Sequence, residues 1–156
     1  PDLQKDSMAE KYPFEKITIG TGRKLKEGED IAILSFGHPG NFAAAAIRDI
    51  KNEGINPAHY DMRFAKPLDE NMLHEVFFFF YKIITVEDGT VLGGFGSAIL
   101  EFMNEQGYKA DVKIMGIPDL LVEHGTPKQL YNEIGIDANG IAEKIREMVS
   151  MKVNVL

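Results

Sequence analysis

Two carboxylates at the end of an apolar run are the first chemistry-bearing feature of the chain. Ile83 to Val86 is β-rich, Glu87 and Asp88 follow it, and Gly93-Gly94-Phe95-Gly96-Ser97 leads into a helical pattern that starts at about Ser97. An acidic pair placed there could serve as general acid and base, or as oxygen ligands for Mg²⁺. Consecutive strand residues point to opposite faces, so the two side chains do not converge without a twist of the loop. A hydrogen-bonding or salt-bridge role is therefore expected of Glu87. The glycine-rich segment could offer free backbone N–H groups to a phosphate or carboxylate. Its Gly94 and Gly96, however, are followed by Ile99 where the dinucleotide fingerprint needs a third small residue. That favours the alternative, in which the glycines permit a tight turn and close packing of a neighbouring backbone.

Other candidates are more scattered. Arg63 and Lys66 follow a strand and could hold an anionic substrate, but Asp61, Asp69 and Glu87 are available as ion-pair partners, and pairing is the favoured reading. The four histidines, His38, His59, His74 and His124, lack the spacing of a metal site. His38 and His124 lie in loops and are better placed for contacts than the helical His74. Ser35 and Ser97 have no Gly-x-Ser-x-Gly elbow and no obvious base, so nucleophilic hydrolysis is not supported.

The elements that must position these groups alternate along the chain. Ile31 to Phe36 is nearly all apolar, as in a central parallel strand buried on both faces. Asn41 is expected to cap the next helix, whose inward positions are Phe42, Ala43, Ala46, Ile47 and Ile50, with Gly54 closing it. Ala58 to Met62 is the next strand, and Asp69 is the expected N-cap of a helix from about 70 to 80 with Met72, Leu73, Val76, Phe77 and Phe80 inward. Phe78 and Phe79 cannot share that stripe at about 100° per residue, so they meet either the local sheet or a second surface, between domains or subunits. A helix over 97–106 turns Ala98, Ile99, Phe102 and Met103 inward, and Asp111 to Ile117 forms the last strand. Thr126-Pro127 starts a short helix, and Asp137 caps a closing one with Ile141, Ile145, Met148 and Val149 on one stripe. Phe14 to Ile19 and Arg23 to Lys26 are candidates for short edge strands. Residues 1–13 read as a linker or arm from a preceding domain, 14–150 as the domain, and 151–156 as a tail.

This alternation predicts an α/β fold with three layers: a mainly parallel central sheet, helices on both faces, and one antiparallel edge strand. Loops 36–41, 63–69 and 87–97 should lie side by side at the carboxyl edge, where open α/β sheets bind ligands and partners. With 156 residues, the chain is long enough to bury a core of its own. A net charge of −7 argues against a nucleic-acid partner, and no apolar run is long enough to span a membrane. The absence of cysteine fits a cytoplasmic setting. Pro1, without an initiator Met or signal-peptide pattern, suggests the cut end of a longer chain.

Four segments taken together carry a resemblance. Asp-Met-Arg-Phe-Ala-Lys-Pro-Leu-Asp (61–69), Ile-Thr-Val-Glu-Asp-Gly (84–89), Gly-Gly-Phe-Gly-Ser (93–97) and Ile-Pro-Asp-x-x-x-Glu-His-Gly (117–125) closely resemble, in order and spacing, the C-terminal domain of the 1-deoxy-D-xylulose-5-phosphate synthase family. The likeness covers roughly residues 14–147. More distantly the chain looks like the C-terminal domains of transketolases and of 2-oxo acid dehydrogenase beta subunits.

The resemblance implies a homodimeric enzyme that uses thiamine diphosphate and Mg²⁺ to decarboxylate pyruvate and join the two-carbon fragment to glyceraldehyde 3-phosphate, feeding isoprenoid, thiamine and pyridoxal synthesis. It implies that cofactor and metal are bound by N-terminal and middle domains absent here, since the chain lacks the family's Gly-Asp-Gly motif with its spaced Asn. No catalytic, cofactor or metal residue is then expected in this segment, which alone should be inactive. Arg63, Lys66, Glu87, Asp88, Gly93, Gly94, Phe95, Gly96, Ser97 and His124 become candidates for an interface or active-site border. The chain departs from the pattern at Leu120 and Leu121, where a basic and an aromatic residue are usual, and in the unusually apolar run Phe77 to Phe80. The rival readings are the matching domain of a transketolase or 2-oxo acid dehydrogenase, and a freestanding module that binds a small anion.

Overall fold

A computed structural model describes residues 16–120 and 124–151. The expected arm 1–13, the start of the first edge segment at Phe14, Leu121 and the tail from 152 onward lie outside the described residues. The strands are β1 (Arg23–Lys26), β2 (Ile31–Phe36), β3 (Pro57–Asp61), β4 (Lys82–Thr90) and β5 (Asp111–Ile117). The helices are α1 (Gly40–Asp49), α2 (Glu70–Phe79), α3 (Phe95–Glu105), α4 (Pro127–Glu133) and α5 (Ala138–Ser150).

The strands form one sheet in the order β1-β3-β2-β4-β5. Only β1 is antiparallel, paired to β3 with Arg23 opposite Asp61. β2 sits in the middle, parallel to both neighbours, with Ile33 opposite His59 on β3 and Ile84 on β4. Its apolar run follows from that place, since side chains alternate between two covered faces. Ile31 and Ile33 join α1 and α5 in one core, with Ala46, Ile47, Ile141 and Ile145. Ala32 and Leu34 join α2 and α3 in the other, with Leu73, Val76, Ile99 and Phe102. The expected three-layer, mainly parallel fold is what the chain adopts, and none of the described helices is long and apolar enough to cross a membrane.

Three caps match the sequence reading. Asp69 accepts from Met72 N, Asp137 accepts from Gly140 N, and Thr126 forms a full capping box with Gln129 behind Pro127. Other boundaries differ. Asn41 does not cap α1; the helix begins at Gly40 behind Pro39, and the Asn41 amide donates to His38 O instead. Gly54, in the left-handed region at φ 75°, closes a 3₁₀ turn that follows α1 rather than α1 itself. Residues 16–19 form no strand. Phe80 has left the helix and is extended, though still buried, and α3 starts at Phe95, two residues before the expected Ser97.

The largest difference concerns the acidic pair. β4 does not stop at Val86 but continues to Thr90, which pairs with Ile117 across a register shift that spans Glu87 to Gly89. An irregularity of this kind leaves residues off the ladder and re-aims their side chains. Here it turns Glu87 toward α3.

Candidate functional site

Glu87 lies inside the domain, 2% exposed. Its Oε2 accepts from Phe95 N at 2.8 Å and its Oε1 from Gly96 N at 2.8 Å. These are N–H groups of the first turn of α3, which has no intrahelical acceptor for them. A carboxylate there also complements the positive end of the helix dipole. The phosphate cradle, the less favoured of the two readings of Gly93 to Ser97, gains no support, because Phe95 N and Gly96 N are already held by a side chain of the same domain.

The glycines make that arrangement possible. A Cβ on Gly94 would overlap both Thr90 O and Glu87 Oε2, and one on Gly96 would lie 2.6 Å from Ile114 Cγ2 and 2.7 Å from Thr85 Oγ1. The segment is closely packed, as favoured from its sequence. Ser97 ties the loop down, since its hydroxyl donates to Val91 O and accepts from Gly93 N. Phe95, 2% exposed, stacks on Phe36 with ring centroids 5.4 Å apart. That stack lies at the ends of β2 and β4, where the chain's winding direction reverses.

Asp88 faces the other way, as strand alternation requires. It is exposed and accepts from the Tyr131 hydroxyl at 2.7 Å, and this bond raises the pKa of the phenol. The two carboxylates therefore share no substrate position. Tyr131 also packs edge-on against Phe42, whose ring meets His38 at 5.1 Å. Together these rings wall an open hollow of about 470 Å³, completed by Pro127, Lys128, Asp137 and Asn139. Sequence reasoning did not find this hollow, because His38 and Phe42 meet Tyr131, far along the chain, only in the folded domain.

Arg63 has a positive φ of 57°, and its Nε lies 4.0 Å from Asp61 Oδ2, while Arg23 holds the same oxygen at 3.0 Å. The pairing expected of Arg63 with Asp61 is thus present but long, and Arg23, which the sequence reading passed over, is the closer partner. Lys66 is exposed and forms no ion pair among the described residues. His124 is exposed in the loop before α4. Of the ten candidates, Glu87, Gly94, Phe95 and Gly96 converge at the start of α3, Gly93 and Ser97 border them, Asp88 is bonded to Tyr131 of the hollow wall without lining the hollow itself, and Arg63, Lys66 and His124 stand apart.

One pair escaped the sequence reading altogether. Ser35 Oγ and His59 Nε2 are 2.9 Å apart, brought together where β2 and β3 run side by side. They are 1% and 2% exposed, so no substrate reaches them. Burial lowers the His59 pKa to about 4, with Asp61 opposing weakly. The pair is a packed hydrogen bond of the interior.

A family model described as "Transketolase, C-terminal domain" matches residues 20–141. The chain belongs to the transketolase C-terminal domain family. Within that family its curated relatives include the 1-deoxy-D-xylulose-5-phosphate synthase of Cytophaga hutchinsonii, 55% identical over 138 residues, covering 88% of this chain and 22% of that protein. The synthase of the same name from Aquifex aeolicus is 45% identical over 134 residues, covering 86% and 21%. This transketolase C-terminal domain thus spans about a fifth of the length of those relatives. Among solved structures it is similar to a split-gene transketolase described as an inactive beta4 tetramer, with a TM-score of 0.81 and 30% identity over 88% of this chain and 45% of that one. Transketolase from Campylobacter jejuni, with a TM-score of 0.60 at 16% identity over 82% of this chain and 18% of that one, shares the fold.

The family resemblance implies thiamine diphosphate and Mg²⁺, and the residues present do not fit them. The N–H groups at the start of α3 that could receive a diphosphate are taken by Glu87, and there is no room beside Gly94 for even one more carbon atom. Among the described residues no three His, Asp or Glu side chains stand together as a metal site would require.

Proposed function

We propose that this chain is the C-terminal accessory domain of a synthase that condenses pyruvate with glyceraldehyde 3-phosphate, giving 1-deoxy-D-xylulose 5-phosphate and CO₂. The carrying observation is the carboxyl edge itself. Its central carboxylate is spent on the domain's own helix α3, and what it leaves outward is an aromatic hollow with scattered charged side chains. An edge of that kind suits docking of another domain, because apolar rings gain by being covered and the internal polar groups need no outside partner. The choice of reaction draws support from identities of 45–55% to synthases of that name, above the 30% to the split-gene transketolase.

In this reading the N-terminal and middle domains of the same chain hold thiamine diphosphate and Mg²⁺, and the full-length protein works as a cytoplasmic homodimer. His38, Phe42, Tyr131 and Asp88 receive the neighbouring domain. Arg63, Lys66, Gly93, Ser97 and His124 border it. Glu87, Gly94, Phe95 and Gly96 act from beneath by fixing the start of α3. The segment alone is inactive. The test is formation of 1-deoxy-D-xylulose 5-phosphate by the full-length chain and by residues 1–156 separately.

A further inference from the structure

Of the described α-helices, α1, α2, α3 and α5 each bury an inward stripe, and α4 does not. Even α2, whose last turn leaves Phe78 and Phe79 in solvent rather than against the sheet, buries Leu73, Val76 and Phe77. From Ile117 to Gly135 no described residue is buried. The body of the domain resumes abruptly at Ile136, 0% exposed in the core shared by α1 and α5. Segments with few buried apolar contacts are those that open first in a folded protein.

What ties α4 to the sheet is one side chain. The Tyr131 ring meets Phe42 with centroids 5.3 Å apart, and its hydroxyl donates to Asp88 Oδ2 at 2.7 Å, within the irregular stretch of β4. Among the described residues this is the one side-chain hydrogen bond from α4 to an element distant in the chain, and no ion pair supplements it. The bond from Asn132 to Asp137 is local. Between α4 and the body lies the hollow of about 470 Å³, with Pro127, Lys128 and Tyr131 on one side and His38, Phe42 and Asn139 on the other. A helix packed down on its neighbours leaves no such gap. At the far end of α4, Gly135 lies at φ 74°, and a Cβ there would meet nothing within 4 Å, so the backbone joining α4 to Ile136 is unhindered by packing.

We propose that α4 is a hinged strap over the aromatic hollow, pivoting at Gly135 and latched to β4 by the Tyr131–Asp88 bond, and that a docked neighbouring domain holds it in the latched position. The gripping role rests on the docking reading above, whereas the hinge and latch are properties of this chain alone. Opening breaks one hydrogen bond to a carboxylate and one ring contact but uncovers no buried residue of α4, so it requires far less than unfolding of the domain. Seven residues are too few to stay helical alone, so lifting α4 also frees its amides.

Amide hydrogen exchange tests the hinge, the latch and the grip. In the 156-residue chain, Leu130 N and Ile134 N, which donate to Thr126 O and Leu130 O, are expected to exchange at least about a hundredfold faster than the amide of Ile145 in α5. Tyr131→Phe keeps the ring and drops the hydroxyl, and should raise the α4 rates about three- to tenfold while leaving Ile145 unchanged. Asp88→Ala should match it, and the Tyr131→Phe/Asp88→Ala double variant should go no further than either single change. In the full-length chain the α4 rates should fall by at least about tenfold. Amides of α4 as protected as that of Ile145 overturn the hinge, and rates indifferent to Tyr131→Phe overturn the latch. Equal rates in the two chains overturn the grip, and with it the docking of this hollow. Product formation enters none of these measurements, so the reaction proposed above stands or falls separately.

Discussion

Replacing Glu87 should loosen the start of α3 and cost the domain a large part of its stability. The side chain is 2% exposed and receives two backbone N–H groups at 2.8 Å each. Hydrogen bonds to a charged acceptor contribute about 1.5–3 kcal/mol apiece, and each buried donor left without a partner carries its own desolvation cost. Glu87→Ala removes both acceptors and opens a small void, so a loss of about 3–5 kcal/mol is expected. Glu87→Gln keeps one acceptor oxygen but points an NH₂ at the second N–H, for a loss of about 2–3 kcal/mol. At roughly 2–4 °C per kcal/mol for a domain of this size, the alanine variant should melt about 6–20 °C below the parent. Urea unfolding followed by circular dichroism gives the free energies, and hydrogen exchange of the Phe95 and Gly96 amides reports the local opening. An alanine variant within about 1 kcal/mol of the parent would refute the reasoning, as would unchanged protection of those two amides.

Two further outcomes follow from the same interior. Gly94→Ala drives a methyl group into Thr90 O and Glu87 Oε2 and should cost about 3 kcal/mol; Gly37→Ala, at φ 77° with open space around it, should cost only about 1–2 kcal/mol, and equal losses in urea titration would count against the packing argument. His59 is held neutral, with a pKa near 4 against an ordinary 6.5, so between those values the unfolded chain takes up a proton that the folded one refuses. Its contribution is fully present above the unfolded value and is lost as pH falls toward the folded one, about 2 kcal/mol between roughly pH 7 and pH 5. The slope in that window should flatten in His59→Asn, and an identical slope in the variant would remove His59 as its cause.

Much of the fold could be read along the chain because it rests on local signals. The apolar run Ile31 to Phe36 announces a strand covered on both faces, and Asp69, Thr126 and Asp137 announce helix starts by the oxygen each offers to an N–H two or three residues on. Alternation alone separates Glu87 from Asp88. What escaped depends on register and on distant partners. β4 runs on to Thr90 because Ile117 of β5 pairs with it, Tyr131 meets Asp88 because α4 folds back over the carboxyl edge, and Ser35 meets His59 only once β2 and β3 are aligned. The Asn41 cap failed because helical bonding begins earlier, with Gly40 N and Asn41 N donating to Gly37 O and His38 O. The glycine segment illustrates both cases: its tight packing was an available reading from sequence, whereas the carboxylate that fills it was visible only in three dimensions.

The central claim is that the chemistry lies outside this segment while the segment serves it by docking. The most direct measurement is product formation from pyruvate and glyceraldehyde 3-phosphate, with thiamine diphosphate and Mg²⁺ supplied, by the full-length chain and by residues 1–156 under the same conditions. The account predicts 1-deoxy-D-xylulose 5-phosphate from the full-length chain and none from the segment. Product from residues 1–156 alone, or a full-length chain that makes none, would contradict it.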